Sequence, residues 1–217
     1  MIKKKIILFD LDGTLIDSTE AIVGTFLYTF EKMNFNFSKK IDDIKKVIGY
    51  PLEIMYEKLG VPKNNVYDFV ECYKYRYREI SIEQTILLDD AIDALKLANS
   101  FARLGVVTTK TTKYTIPLLE DMDIMKYFEV IVGRQEVINP KPDPEPIFKA
   151  MELMNVTKSN FDIFMIGDTK LDLIAAKSAD IQGIGVLCGY GTEEELKHYS
   201  SIIMQNSLEA VQKISDL

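Results

Sequence analysis

The sequence has one histidine, two cysteines and no excess of basic residues. Each shortage removes a class of chemistry. A lone histidine cannot build a multi-histidine zinc centre. His198 also sits in a charged stretch near the C-terminus, a poor setting for a nucleophile–histidine–acid triad; a surface position is expected. Cys72 and Cys188 stand far apart with no metal-ligand spacing, so free thiols in a reducing compartment are expected rather than a disulfide. The net charge of −7 argues against nucleic acid or an anionic membrane as partner, since both require a basic surface. An anionic substrate would then have to be attracted locally. Long apolar runs are missing too. Met-Ile-Lys-Lys-Lys at the start is basic, but the run after it, Ile-Ile-Leu-Phe, is short and ends in acids. It reads as neither a signal peptide nor a membrane span, and a cytoplasmic protein is expected.

What is present begins with residues 5–18, Lys-Ile-Ile-Leu-Phe-Asp-Leu-Asp-Gly-Thr-Leu-Ile-Asp-Ser. Ile6, Ile7, Leu8 and Phe9 are continuously apolar, which suits a strand buried on both faces of a parallel sheet. The run stops at Asp10, followed by Asp12, Gly13 and Thr14. Ligand sites in open α/β sheets lie just beyond the carboxyl ends of strands. Two acids so close repel, and a hard cation such as Mg²⁺ would relieve that.

From Thr19 to Ile82 apolar residues recur at helical spacing. Ile22, Val23, Phe26, Leu27, Phe30 and Met33 predict one helix. Shorter ones follow over 41–48 and from Leu52, with a longer one from Asn64 to about Ile82. Residues 17–82 therefore read as all-helical. After Asp89 the rhythm alternates. Strands are expected at 101–107, 128–132, 163–166, 184–187 and 202–204, with helices between them. That pattern means βαβ units and a parallel sheet. Pro117 falls inside one helix and predicts a kink or a late start there. The fold class expected is α/β, a Rossmann-like parallel sheet core with an inserted all-α cap. Residues 1–16 and 83–217 would form the core and 17–82 the cap.

Three further stretches carry chemistry. Thr108 ends an apolar strand, where its hydroxyl can donate to a phosphate oxygen. Lys141 stands among Pro140, Pro142, Pro144 and Pro146, a run that predicts an extended, stiff segment holding the ammonium in place. A fixed ammonium can offset the repulsion between a phosphate and a carboxylate nucleophile. Asp168 ends the run Ile-Phe-Met-Ile-Gly and could complete an oxygen-rich Mg²⁺ site. Asp172 lies one helical turn on. Helix-end electrostatics and a metal role both remain open for it.

These four stretches, in this order, resemble the four motifs of the haloacid dehalogenase superfamily, with the phosphoglycolate phosphatase and pyrophosphatase group most similar. The resemblance implies a Mg²⁺-dependent hydrolase acting on a small phosphorylated metabolite, such as 2-phosphoglycolate or pyrophosphate, through an aspartyl-phosphate. It implies Asp10 as nucleophile and Asp12 as general acid/base. Thr108, the Thr109 backbone N–H and Lys141 would bind phosphate. Metal would be held by Asp10, the Asp12 carbonyl and Asp168, with Asp172 behind them. The Gly49-Tyr50-Pro51 loop is expected near the site, and Arg76 and Arg78 as solvated helix charges. A phosphosugar mutase on the same fold and a non-enzymatic phospho-acceptor domain are the competing readings. A monomer or homodimer is expected, with no nucleic-acid or membrane partner.

Overall fold

The computed structural model describes residues 4–217. In chain order the elements are β1 (Lys4–Phe9), β2 (Ile16–Asp17), α1 (Thr19–Lys32), α2 (Ile41–Lys45), α3 (Leu52–Leu59), α4 (Val66–Ile80), β3 (Ile86–Leu87), α5 (Ala91–Asn99), β4 (Ala102–Val107), α6 (Thr112–Asp121), β5 (Val130–Val132), α7 (Glu145–Leu153), β6 (Phe161–Gly167), α8 (Lys170–Ser178), β7 (Gln182–Val186), α9 (Glu193–Leu196), β8 (Ile203–Met204) and α10 (Ser207–Ser215).

Six strands form one sheet in the order β5-β4-β1-β6-β7-β8, and every neighbouring pair is parallel. β1 lies at its centre, as its continuous apolar run requires. Side chains alternate across a strand, and both faces of β1 are buried. Ile7 and Phe9 pack into one core with residues of α5 and α10. Ile6 and Leu8 pack into a second with residues of α7 and α8. The parallel α/β core expected from the sequence is therefore the fold.

Helices α1 to α4 enclose a third core of their own. Its centre is aromatic: the Phe26 ring lies 4.7 Å from Tyr56 and 5.0 Å from Tyr73, centroid to centroid. Such contacts add to the free energy of burying the rings themselves. The chain enters and leaves this unit through a feature the periodicity does not announce. β2 and β3 pair antiparallel, Ile16 opposite Leu87 and Asp17 opposite Ile86.

Other elements depart from expectation. The proline run turns rather than extends: the Asp143 N–H donates to the Pro140 carbonyl at 3.0 Å, and Pro144 and Pro146 open α7, where a missing N–H is tolerated. α6 starts on time and runs through Pro117. The helix expected over 41–48 ends at Lys45 and continues as turns, and the one expected near 193–199 ends at Leu196. His198 is exposed, and Cys72 and Cys188 are free. No helix among the described residues is long and apolar enough to cross a membrane.

Candidate active site

The register of the sheet sets the site. Phe9 is level with Val106 of β4 and Ile166 of β6. The residues just past these adjacent strands, Asp10, Thr108 and Asp168, therefore leave the sheet at the same edge. The ladder runs on into the site: the Asp10 N–H donates to Ile166 at 2.9 Å, and the Thr108 N–H to Val132 at 2.9 Å.

Lys141 reaches this edge from the proline turn. Its Nζ lies 2.8 Å from Asp10 Oδ1 and 2.5 Å from Asp172 Oδ1, and donates to the Val107 carbonyl at 2.9 Å. The Lys141 side chain is 2% exposed and that of Asp10 6%, so the pair acts in a medium that screens it little. Burial works against the charge on Lys141, but Asp10 and Asp172 outweigh it and hold the ammonium protonated well past its ordinary range. Burial also pushes the Asp10 carboxyl up to about 7, Lys141 opposing and Asp172 adding to the rise.

Asp168 is fully buried. Thr14 Oγ1 donates to its Oδ1 at 3.0 Å and the Tyr190 N–H to its Oδ2 at 2.8 Å. Burial, then Asp10, push its carboxyl well above the usual range. Gly13 makes this packing possible. It adopts φ +84°, and a Cβ there would stand 2.4 Å from Asp168 Oδ2. Asp172 stands at the helix end and also within the acid group. Its Oδ2 accepts from the N–H and hydroxyl of Thr169 at 3.0 and 2.7 Å, capping α8, while its Oδ1 holds Lys141.

Carboxylate oxygens of Asp10, Asp168 and Asp172 lie within 4.8 Å of one another, all buried. One ammonium cannot balance three buried acids, and uncompensated buried charge is strongly unfavourable. A hard divalent cation fits this donor set, which is wholly oxygen. In Asp168 and Asp172 both oxygens accept hydrogen bonds, and in Asp10 Oδ1 meets Lys141.

Asp12 stands at the rim. Its Oδ1 accepts from the Ser18 hydroxyl and lies 3.2 Å from Lys110 Nζ. Lys110 in turn donates to the Tyr77 hydroxyl of α4 at 2.7 Å. Burial opposes its charge, but Asp12 and Tyr77 hold it well above the ordinary lysine range. The sequence marks Lys110 only by its place after Thr108 and Thr109 and assigns it no chemistry. Thr14, Ser18, Tyr77 and Tyr190 are missed altogether, though Thr14 and Ser18 lie within the stretch that opens the chain. The Thr109 hydroxyl donates to the Gly49 carbonyl at 2.8 Å. The expected Gly49-Tyr50-Pro51 loop therefore touches the site. Arg76 pairs with Glu79 and Arg78 with the Lys74 carbonyl, away from it. Between the helical unit and the sheet edge lies a cavity of about 290 Å³, reached by Asp12, Lys110 and Thr109.

Residues 7–186 match the family model described as haloacid dehalogenase-like hydrolase. Pyrophosphatase PpaX of Listeria monocytogenes is 32% identical over 212 residues, covering 97% of this chain and 93% of that one. Phosphoglycolate phosphatase of Colwellia psychrerythraea is 28% identical, covering 91% and 90%. The solved structure of a haloacid dehalogenase-like family hydrolase from Streptococcus pneumoniae superposes with a TM-score of 0.87 at 28% identity, covering 99% of this chain and all of that one.

Proposed function

Because the chain belongs to the haloacid dehalogenase-like hydrolase family, with phosphatases among its relatives, we propose that this phosphatase hydrolyses a small phosphorylated metabolite through an aspartyl-phosphate on Asp10. The substrate is an ester or anhydride of the class that includes 2-phosphoglycolate and pyrophosphate. The observation that carries this reading is the buried group of Asp10, Lys141 and Asp168 at the ends of adjacent strands.

In the first step the Asp10 oxygen not bound to Lys141 attacks phosphorus. The bond from phosphorus to the leaving oxygen breaks, and Asp12 gives that oxygen a proton. Lys110 and the Ser18 hydroxyl steady the Asp12 carboxylate so formed. In the second step Asp12 takes a proton from water as its oxygen attacks the same phosphorus. The acyl phosphate bond breaks, and Asp10 returns to a carboxylate with release of phosphate. Lys141 balances the charge that gathers as anion meets anion. The Thr108 hydroxyl, accepting from the Lys110 N–H at 3.2 Å, keeps its own hydrogen for a phosphoryl oxygen, and the Thr109 N–H joins it. Asp10, Asp168 and the Asp12 carbonyl would hold Mg²⁺, which when bound neutralises the acids and draws charge from the phosphoryl oxygens. Asp172 supports that set by holding Lys141.

Residues 1–16 and 83–217 act as the catalytic core and 17–82 as a cap that closes over it and excludes water. The separate aromatic core of α1 to α4 and the two-strand ribbon at the junction support that division.

Phosphate release is measured over 2-phosphoglycolate, pyrophosphate, hexose phosphates and nucleotides, with Mg²⁺ and with EDTA. Release is expected with Mg²⁺ only, and Asp10→Asn should fall below about a thousandth of the parent rate. Release by Asp10→Asn at the parent rate would overturn the proposal. So would turnover that depends on an added bisphosphate, which marks transfer to a second hydroxyl rather than to water.

A further inference from the structure

We infer that the cavity beside Asp12 favours a phosphomonoester whose alcohol carries a ring-sized apolar body. The inference rests on the hydrolase reading above and narrows its substrate. The walls argue for it. Tyr73 and Tyr77 of α4 stack with centroids 5.4 Å apart, and Tyr114 of α6 meets Tyr77 edge-on at 5.8 Å. All three line the cavity, joined by Tyr50, Leu52 and Met55. Aromatic and aliphatic walls favour a flat apolar group. Size is consistent: an apolar cavity of about 150 Å³ accepts benzene, and this one measures about 290 Å³.

The charged groups on these walls are only partly paired. Lys110 is held by Asp12 and Tyr77, and Lys74 meets Glu71 at 2.8 Å in an exposed pair. Arg134 donates to the Val137 carbonyl at 3.1 Å, and its buried Nε has no hydrogen-bond partner among the described residues. The preference therefore rests on the aromatic and aliphatic walls and not on the charges.

Benzyl phosphate and ethyl phosphate release alcohols of similar acidity, so their ratio of kcat/KM reads the ring and not the chemistry. The ratio should lie between about ten and a hundred, the value of burying one ring. Tyr114→Ala should lower the benzyl-to-ethyl ratio at least about fivefold. The comparison in the parent protein needs no variant to fold. A ratio near one overturns the inference. Asp10-dependent phosphate release would then persist and the hydrolase reading would stand. Phosphate release that ignores Asp10→Asn takes both down together.

Discussion

All three N–H donors of Lys141 are committed, to Asp10, Asp172 and the Val107 carbonyl. Lys141→Met leaves two buried carboxylates without their cation. Loss of one member of a buried pair destabilises by about 3–5 kcal/mol, so denaturant melts in EDTA should shift by that order, and Mg²⁺ should restore part of it. Phosphate release should fall at least about a thousandfold. A variant as stable as the parent in EDTA would show that the acids do not depend on Lys141. Lys110→Met tests the rim. It removes the cation beside Asp12 but no atom that meets the phosphate. A fall in kcat of about ten- to a hundredfold is expected, with the largest loss on substrates whose leaving oxygen most needs a proton. Equal loss on an aryl ester and an alkyl ester would contradict that role. Asp10, Thr108 and Asp168 are legible because each directly follows an apolar strand. Lys110 is not, because the partner that explains it, Tyr77, lies 33 residues away in another unit.

At the scale of elements, strands of the sheet show in the sequence because burial on both faces leaves continuous apolar runs. The ribbon of β2 and β3 does not: two residues carry no period, and its pairing joins positions about seventy apart. The proline run misleads for a related reason. Local stiffness is legible, but its direction depends on the start of α7. The loop between α2 and α3 is where the helical unit meets the sheet edge. Gly49 there adopts φ +101°, and a Cβ would stand 3.2 Å from Thr169 Cγ2. Its carbonyl holds Thr109. Gly49→Ala strains the backbone at that contact, so KM should rise about three- to tenfold while the melting temperature moves by no more than about 4 °C. Unchanged kinetics would show that the Gly49 contact does not tune the site.

For the whole molecule, the buried acids couple stability to pH. Asp10 moves from an ordinary value of 3.8 up to about 7, and Asp168 moves the same way. A raised carboxyl favours the protonated folded form. Its contribution is fully present below the unfolded value and is lost as pH climbs through the folded one, by up to about 1.4 kcal/mol per pH unit for each group. The metal-free protein should therefore melt lower at about pH 8 than at about pH 5.5. Mg²⁺ competes with those protons, so the rise in melting temperature that it produces should grow over the same interval. A Mg²⁺ effect independent of pH would show that the ion binds elsewhere.

The sequence by itself determined the parallel sheet, the helical insertion, and the residues that stand at three strand ends and in one proline-rich turn. These depend on local pattern: apolar runs, helical spacing and an acid, hydroxyl or lysine at a defined place. Tertiary structure alone decided how they combine. Register brought Asp10, Thr108 and Asp168 to one edge, and the turn at Pro140 carried Lys141 between Asp10 and Asp172. It also decided the tyrosine-walled cavity, because Tyr50, Tyr73, Tyr77 and Tyr114 come from elements with no common period. Side chains from separate stretches share a wall only once both units have packed, and no local pattern encodes that meeting.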